Sequence, residues 1–296
     1  NFKTIDEFYN KKEAEKIKEE IKKEFGERTQ ATVVEMLECG NETVQRYARF
    51  LFDNDYSLYT AKQWGISPDE IDISIFKRVP IRFSYDEGYF DDKYQFMPKY
   101  GYTEFFKNLL NHKNIEIQTG IDALEHLKID EGKSCLYYDG KELNIPVIYT
   151  GAADELLGCR YGRLPYRSLR FEWKTLQEDS YQKAPVVAYP QEESYTRITE
   201  YKKLPKQEIQ GVTTIAVEYP IPYQQGKEIE PYYPIPNDEN QKLYNIYKNE
   251  IEKIENLYLC GRLADYKYYN MDQALKRSLD LCKEISNKLS QEDVSQ

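Results

Sequence analysis

Asn256-Leu257-Tyr258-Leu259-Cys260-Gly261-Arg262 is a short, mostly apolar run that breaks at a Gly-Arg pair, and Asn270 follows it just before a long amphipathic stretch. An apolar run of this length without alternation predicts a buried strand. Asn270, with Gln273 three residues on, has the form of a helix start, and the helix is predicted over Met271–Leu289. A helix N-terminus offers free N–H groups and a positive dipole end to an anionic ligand, whereas the plain alternative is an ordinary strand-to-helix connection.

Working outward, a helix is predicted over Gln241–Ile254, preceded by a Pro-rich extended loop over Tyr219–Pro236. Residues 167–223 read as antiparallel sheet. Leu169, Phe171 and Trp173 alternate with Arg170, Glu172 and Lys174, and Val186–Ala188, Tyr195–Tyr201 and Thr213–Tyr219 add strands. Ile81, Phe83 and Tyr85 alternate ahead of an Asp86-Glu87-Gly88 turn. Thr103 is placed to cap a helix over Glu104–Leu110, and Ile115-Glu116-Ile117 reads as a short strand. Leu136–Tyr138 and Val147–Tyr149 read as strands about the Asp139-Gly140 turn. Residues 5–76 read as a small helical domain. Ala14, Ile17, Ile21 and Phe25 recur at helical spacing before Gly26, and a second helix is predicted from Thr29 to Glu38. Asn41 can cap a third helix carrying Val44, Tyr47, Ala48 and Leu51, and Ser67-Pro68-Asp69-Glu70 has the form of a capping box.

With 296 residues and 35.2 kDa, the chain is expected to form two or more packed units. Its net charge of −10 argues against a nucleic-acid binder, which needs a basic face. Against 28 tyrosines stand only His112 and His126, so a Ser-His-Asp hydrolase or a histidine-built metal site is not expected. Cys39, Cys135, Cys159, Cys260 and Cys282 are widely spaced, with no CxxC, which reads as reduced thiols in a cytoplasmic protein. No apolar run approaches the roughly 20 residues of a membrane helix, and the first residues have neither a signal-peptide pattern nor an initiator Met, so the chain is expected to begin inside a longer protein. Neither GxGxxG nor GxxxxGK occurs.

Arg78 lies just before one predicted strand and Arg197 inside another. Two arginines converging from different strands would clamp a diphosphate, although a strand arginine more often faces solvent. Tyr59-Thr60-Ala61-Lys62-Gln63-Trp64-Gly65 could stack on a nucleobase, or pack in a core.

Tyr59–Gly65 and Lys77-Arg78-Val79-Pro80-Ile81-Arg82-Phe83 resemble the UDP-galactopyranose mutase family. So do Met97-Pro98 with Gly101-Tyr102-Thr103, Val147-Ile148-Tyr149-Thr150-Gly151, Leu164-Pro165-Tyr166-Arg167-Ser168-Leu169, Ser194–Ile198, Glu230–Ile235 and Gly261–Asp272. These stretches occur in the family's order across nearly the whole chain. The resemblance implies a mixed α/β fold: an incomplete Rossmann-like FAD-binding domain from 101–158 and 237–296, a helical domain at 5–76, and an antiparallel sheet domain from 77–100 and 159–236.

It further implies a flavoenzyme that interconverts UDP-galactopyranose and UDP-galactofuranose, serving cell-surface polysaccharide synthesis. The N5 nitrogen of reduced FAD would attack the anomeric carbon, with UDP leaving. By the same resemblance, Tyr59 would stack on uracil, with Thr60 and Trp64 lining the sugar-nucleotide pocket. Arg78 and Arg197 would hold the diphosphate and act catalytically on the leaving group, with hydroxyl bonds from Tyr89, Tyr233 and Tyr268. Arg167, Arg262, Tyr268, Asn270 and Met271 would lie at the flavin. No metal is implied, and a homodimer is. The family's flavin-phosphate fingerprint is not in this sequence, and Asn270 stands where the family has Asp. A non-catalytic or truncated UDP-sugar-binding protein and another flavin oxidoreductase of the same fold stay open as alternatives.

Overall fold

The computed structural model describes the chain except residue 66, 68–75, 77–79, 87, 89–91, 131, 192, 225–228, 236 and 295–296. It is a mixed α/β structure of two compact units: Asn1–Leu110 with Arg170–Pro220, and Asn111–Leu169 with Ile221–Gln296.

In the first unit, helices α1 (Phe2–Phe8), α2 (Lys11–Phe25), α3 (Val33–Glu38) and α4 (Glu42–Leu51) bury Ile5, Ile21, Met36, Val44 and Tyr47 in one core. Asn41 accepts from Thr43 N and Val44 N, so the cap read from sequence starts α4, and Gly26 at φ 58° ends α2. The helix expected from Thr29 is instead a strand, β1 (Gln30–Thr32), followed by α3. Thr32 and Glu35 form a reciprocal capping box, which fixes the helix start at Val33, and β1 pairs antiparallel with β2 (Pro80–Arg82). A π-helical turn at Phe52–Tyr56 leads from α4 into α5 (Ser57–Trp64), which Gly65 closes at φ 65°. Of the predicted capping box at 67–70, Pro68–Glu70 lie outside the described residues. Helix α6 (Gly101–Leu109) starts earlier than Thr103: a turn from Pro98 O to Gly101 N opens it, and Thr103 does not cap.

This unit also holds the sheet. Strands β8 (Val186–Ala188), β9 (Arg197–Glu200) and β10 (Thr213–Pro222) are antiparallel neighbours, followed by the C-terminal part of β7 (Tyr166–Leu176). Their inward face packs Ile198, Ile215 and Val217. Glu200 is fully buried here and accepts from Tyr181 N, Gln182 N and Thr213 Oγ1, with Lys203 Nζ at 3.0 Å. Burial opposes its ionisation, but these donors prevail and hold the carboxyl down at about 2. The folded state therefore binds this proton less readily than the unfolded chain. The resulting stability is present above the ordinary carboxyl range and is lost as pH falls toward 2. Glu200→Ala is expected to lower unfolding free energy by roughly 3–5 kcal/mol, measured by urea denaturation at pH 7, with the gap between variant and wild type closing below pH 3.

In the second unit, β3 (Leu127–Asp130), β4 (Cys135–Tyr138) and β5 (Lys141–Leu143) form an antiparallel meander after the one-turn helix α7 (Ala123–His126). Asp139-Gly140 turns β4 into β5, with both residues at positive φ. Val147–Tyr149, read as a strand about that turn, is strand β6, and it pairs in parallel with β12 (Leu257–Leu259). Residues 115–117 form no strand, and Ile115 and Ile117 stand exposed. Helices α8 (Ala153–Leu156), α9 (Asp238–Ile251) and α10 (Met271–Val294) complete the unit with the N-terminal part of β7 and the short β11 (Tyr233–Pro234). Its core is rich in tyrosine: Tyr149, Tyr166, Tyr244, Tyr247 and Tyr266 are buried together. The Tyr266 hydroxyl donates to Pro165 O at 2.7 Å and accepts from Ile235 N, which is how a buried phenol stays satisfied. All five cysteines are free. Among the described residues no helix is long and apolar enough to cross a membrane, and no three His, Cys, Asp or Glu side chains gather as metal ligands.

Candidate functional site

In the second unit, the run quoted first builds the site. Gly261 sits at φ 111°, which only glycine adopts easily, so the chain turns sharply as it leaves β12. Asp265 accepts from Gly261 N at 3.0 Å and is ion-paired with Arg277, which also donates to Leu259 O at 2.7 Å. The turn is thus held from both sides, and it projects Arg262. The Arg262 guanidinium donates to Tyr269 O at 2.6 Å and Tyr232 O at 3.2 Å. It lies over the Tyr268 ring at 4.8 Å and the Tyr233 ring at 5.4 Å, and those two rings are 5.1 Å apart.

Arg167 joins them through the backbone: β11 places Tyr233 opposite Arg167, and Tyr232 N donates to Arg167 O at 2.9 Å. Burial pushes the Arg167 guanidinium down from its ordinary value. Asn270 N donates to Gln273 Oε1 at 2.8 Å, the carboxamide half of the predicted cap, and Met271 opens α10 with its side chain exposed. The structure therefore brings Arg167, Tyr233, Arg262 and Tyr268 together, with Asn270 and Met271 next along the chain.

In the first unit, Tyr59, Thr60 and Trp64 lie half-buried on α5. Arg197 is on β9, its side chain one-third exposed (33%), and its Nε and Nη2 both reach Glu218 Oε2 at 2.8 Å. Glu218 is buried on β10, and its Oε1 accepts from Thr196 Oγ1 at 3.0 Å. Arg170 lies 3.9 Å from the Tyr219 ring, and Tyr219 donates to Glu172. Arg78 and Tyr89 lie outside the described residues.

Neither histidine belongs to these clusters. His126 contacts Asp139 and stacks on Tyr138, and His112 accepts from Asn114 N in a turn. Sequence reasoning missed Glu218, Asp265 and Arg277, which hold Arg197 and the Arg262 turn. A strand acid such as Glu218 reads as solvent-facing, and only its placement opposite Arg197 in the β9–β10 register marks it.

A sequence profile described as UDP-galactopyranose mutase matches residues 55–268, which includes Tyr59, Arg167, Arg197, Tyr233, Arg262 and Tyr268 but ends before Asn270 and Arg277. The chain is 34% identical over 278 residues to a UDP-galactopyranose mutase of Mycoplasma genitalium, covering 93% of this chain and 68% of that protein. It is 32% identical over 296 residues to a probable UDP-galactopyranose mutase of Klebsiella pneumoniae (99% and 72%). It is 35% identical over 231 residues to a dTDP-fucopyranose mutase of Escherichia coli (78% and 59%). The chain thus spans between 59% and 72% of the length of these relatives. A profile match across most of the chain, in the same region as the arginine and tyrosine clusters, decides the assignment: the chain belongs to the UDP-galactopyranose mutase family, a family of isomerases.

Proposed function

We propose that the protein interconverts UDP-galactopyranose and UDP-galactofuranose with reduced FAD. The observation that carries this reading is the convergence of Arg262, Tyr233, Tyr268 and Arg167 at the carboxyl end of β12. Ligands of open α/β sheets bind beyond the carboxyl ends of parallel strands, and β6 and β12 are such a pair.

The residues present fit one end of FAD. Guanidinium and phenol groups gathered at a tight Gly261 turn suit a flat, electron-rich ring system. Arg262, Tyr268, Asn270 and Met271 would hold it there, in a FAD-binding domain drawn from 101–158 and 237–296, with Arg167 beside it from the sheet segment 159–236. The phosphate-binding loop of such a domain is not in this sequence. When bound, reduced FAD supplies the nucleophile for the anomeric carbon. The chain's own residues then deal with the leaving group. Tyr59 stacks on the uracil ring, with Thr60 and Trp64 lining the nucleotide pocket. Arg78 and Arg197 hold the diphosphate, and Tyr89, Tyr233 and Tyr268 donate hydroxyl hydrogen bonds to it. Donors fixed before reaction stabilise the charge that builds as UDP departs, and Glu218 fixes Arg197 in that sense. No histidine is needed as a general base. Asn270 lacks the charge of a carboxylate beside the flavin. The sheet of 77–100 and 159–236 and the helices of 5–76 then supply the sugar-nucleotide side, in a cytoplasmic enzyme that provides galactofuranose for cell-surface polysaccharide.

A second substrate is favoured by one relative, the dTDP-fucopyranose mutase. The full-length protein, reduced with dithionite, would be given UDP-galactofuranose and dTDP-fucofuranose in parallel and the products separated by chromatography. Faster conversion of the UDP-sugar is expected. Conversion of only the dTDP-sugar would replace the substrate assignment, and net oxidation or reduction of a sugar would replace the reaction.

A further inference from the structure

Lys62 has no part in the roles above, yet it makes an unusual contact. It lies on α5, one turn after Tyr59 and half a turn before Trp64. Its ammonium donates to two backbone carbonyls, Tyr189 O at 2.5 Å and Tyr195 O at 3.2 Å. Those two residues bracket the connection between β8 and β9, and Tyr195 precedes Arg197 by two residues. Both ends of that connection are otherwise ordered. Tyr189 N donates to Thr196 O, Thr196 N donates to Glu218 O, and the Tyr189 and Tyr195 rings meet edge to face at 4.9 Å.

An ammonium carries three tetrahedral donors on a long stem, so one lysine can gather two carbonyls at once. Burial pushes its proton affinity down, and Glu193 nearby opposes that. A lysine placed only for solubility would reach water instead.

We propose that Lys62 is a positioning residue that fixes the helix bearing Tyr59 against the strand bearing Arg197, so that one nucleoside diphosphate engages both. This rests on the reading of Tyr59 as base stacker and Arg197 as diphosphate clamp. Two contacts on one ligand reinforce each other only when their spacing is held. Lys62 touches neither end of the ligand: its effect is on the coupling between them. The prediction is therefore specific. Lys62→Met should leave affinity for each half of the ligand intact and weaken affinity for the whole.

The test is calorimetric titration of the full-length protein with UDP, uridine and inorganic pyrophosphate, for wild type, Lys62→Met and Lys62→Arg. In Lys62→Met the UDP dissociation constant is expected to rise about tenfold, while those for uridine and pyrophosphate move less than about twofold. Lys62→Arg keeps charge and donors and is expected to stay within about threefold of wild type for UDP. Should Lys62→Met fail to fold, Lys62→Gln, a shorter and neutral side chain whose two N–H donors lie in one plane, carries the same comparison. Unchanged UDP affinity in a folded Lys62→Met protein overturns the inference. Equal weakening of all three ligands overturns it too, because that is the mark of a merely structural lysine. A wild-type protein that binds no UDP sinks the nucleotide reading itself, a result distinct from either.

Discussion

Replacing Arg197 is expected to cost more activity than any other single change among the described residues. Arg197→Lys should lower kcat by about 10²–10³-fold, the size of effect found when a fixed donor to developing charge is lost. A lysine keeps the positive charge but cannot present Nε and Nη2 together to Glu218 Oε2, as Arg197 does at 2.8 Å. Arg197→Ala removes activity and also exposes a second cost. The Glu218 side chain is only 6% exposed, so its carboxylate is left buried without its cation. Breaking one partner of such a pair typically costs about 3–5 kcal/mol. The two effects can be separated. Replacing both partners, Arg197→Met with Glu218→Met, should recover much of the lost stability in urea denaturation and none of the turnover. Near-wild-type kcat in a folded Arg197→Lys protein would remove Arg197 from the mechanism.

Arg262→Met carries the second large effect. Methionine fills much of the arginine's apolar volume, but it cannot donate to Tyr269 O and Tyr232 O or hold the Tyr268 and Tyr233 rings by their faces. The β11 and post-β12 segments would then lose their shared anchor. A fall in kcat of about 10²-fold is expected, with a stability loss of only about 1–2 kcal/mol, because the core beneath is carried by Tyr244, Tyr247 and Tyr266. Steady-state kinetics and the flavin absorbance of the purified variant measure the two consequences. Full turnover with normal flavin content would show that the cluster is packing alone.

Signals that act within a few residues were legible in the sequence. Asn41, Gly26 and the Asn270–Gln273 pair start or stop helices where their chemistry predicts. Pairings between distant residues were not. Gln30–Thr32 falls inside the helix predicted from Thr29 to Glu38, and its strand partner, Pro80–Arg82, lies far along the chain. Val147–Tyr149 resembled a hairpin arm beside Asp139-Gly140, but its partner is β12 in parallel, which no local turn announces. The tyrosine excess is accounted for in part by the second unit's core, where phenols pack and bond to carbonyls, a use that composition alone does not reveal.

The site divides in the same way. Tyr59, Trp64, Arg167, Arg197, Tyr233, Arg262 and Tyr268 are named by resemblance alone, and the structure adds what holds Arg197 and Arg262 in place. Glu218 and Arg277 lie in no quoted motif, and Lys62 and Asp265 lie inside quoted stretches without a role of their own being read for them. Each contacts a partner brought near by the fold, such as Glu218 across the strand register from Arg197. Their types, an acid in a strand or a lysine on a helix, are those that most often face water.

Flavin-dependent ring interconversion of a nucleotide sugar is the activity we propose for this protein. Its most direct measurement is chromatographic conversion of UDP-galactofuranose to UDP-galactopyranose by the full-length, flavin-loaded protein, run in parallel after dithionite reduction and after air oxidation. Conversion by the reduced protein and none by the oxidised one is the predicted result. A folded, flavin-loaded, reduced protein that leaves UDP-galactofuranose unchanged would contradict it.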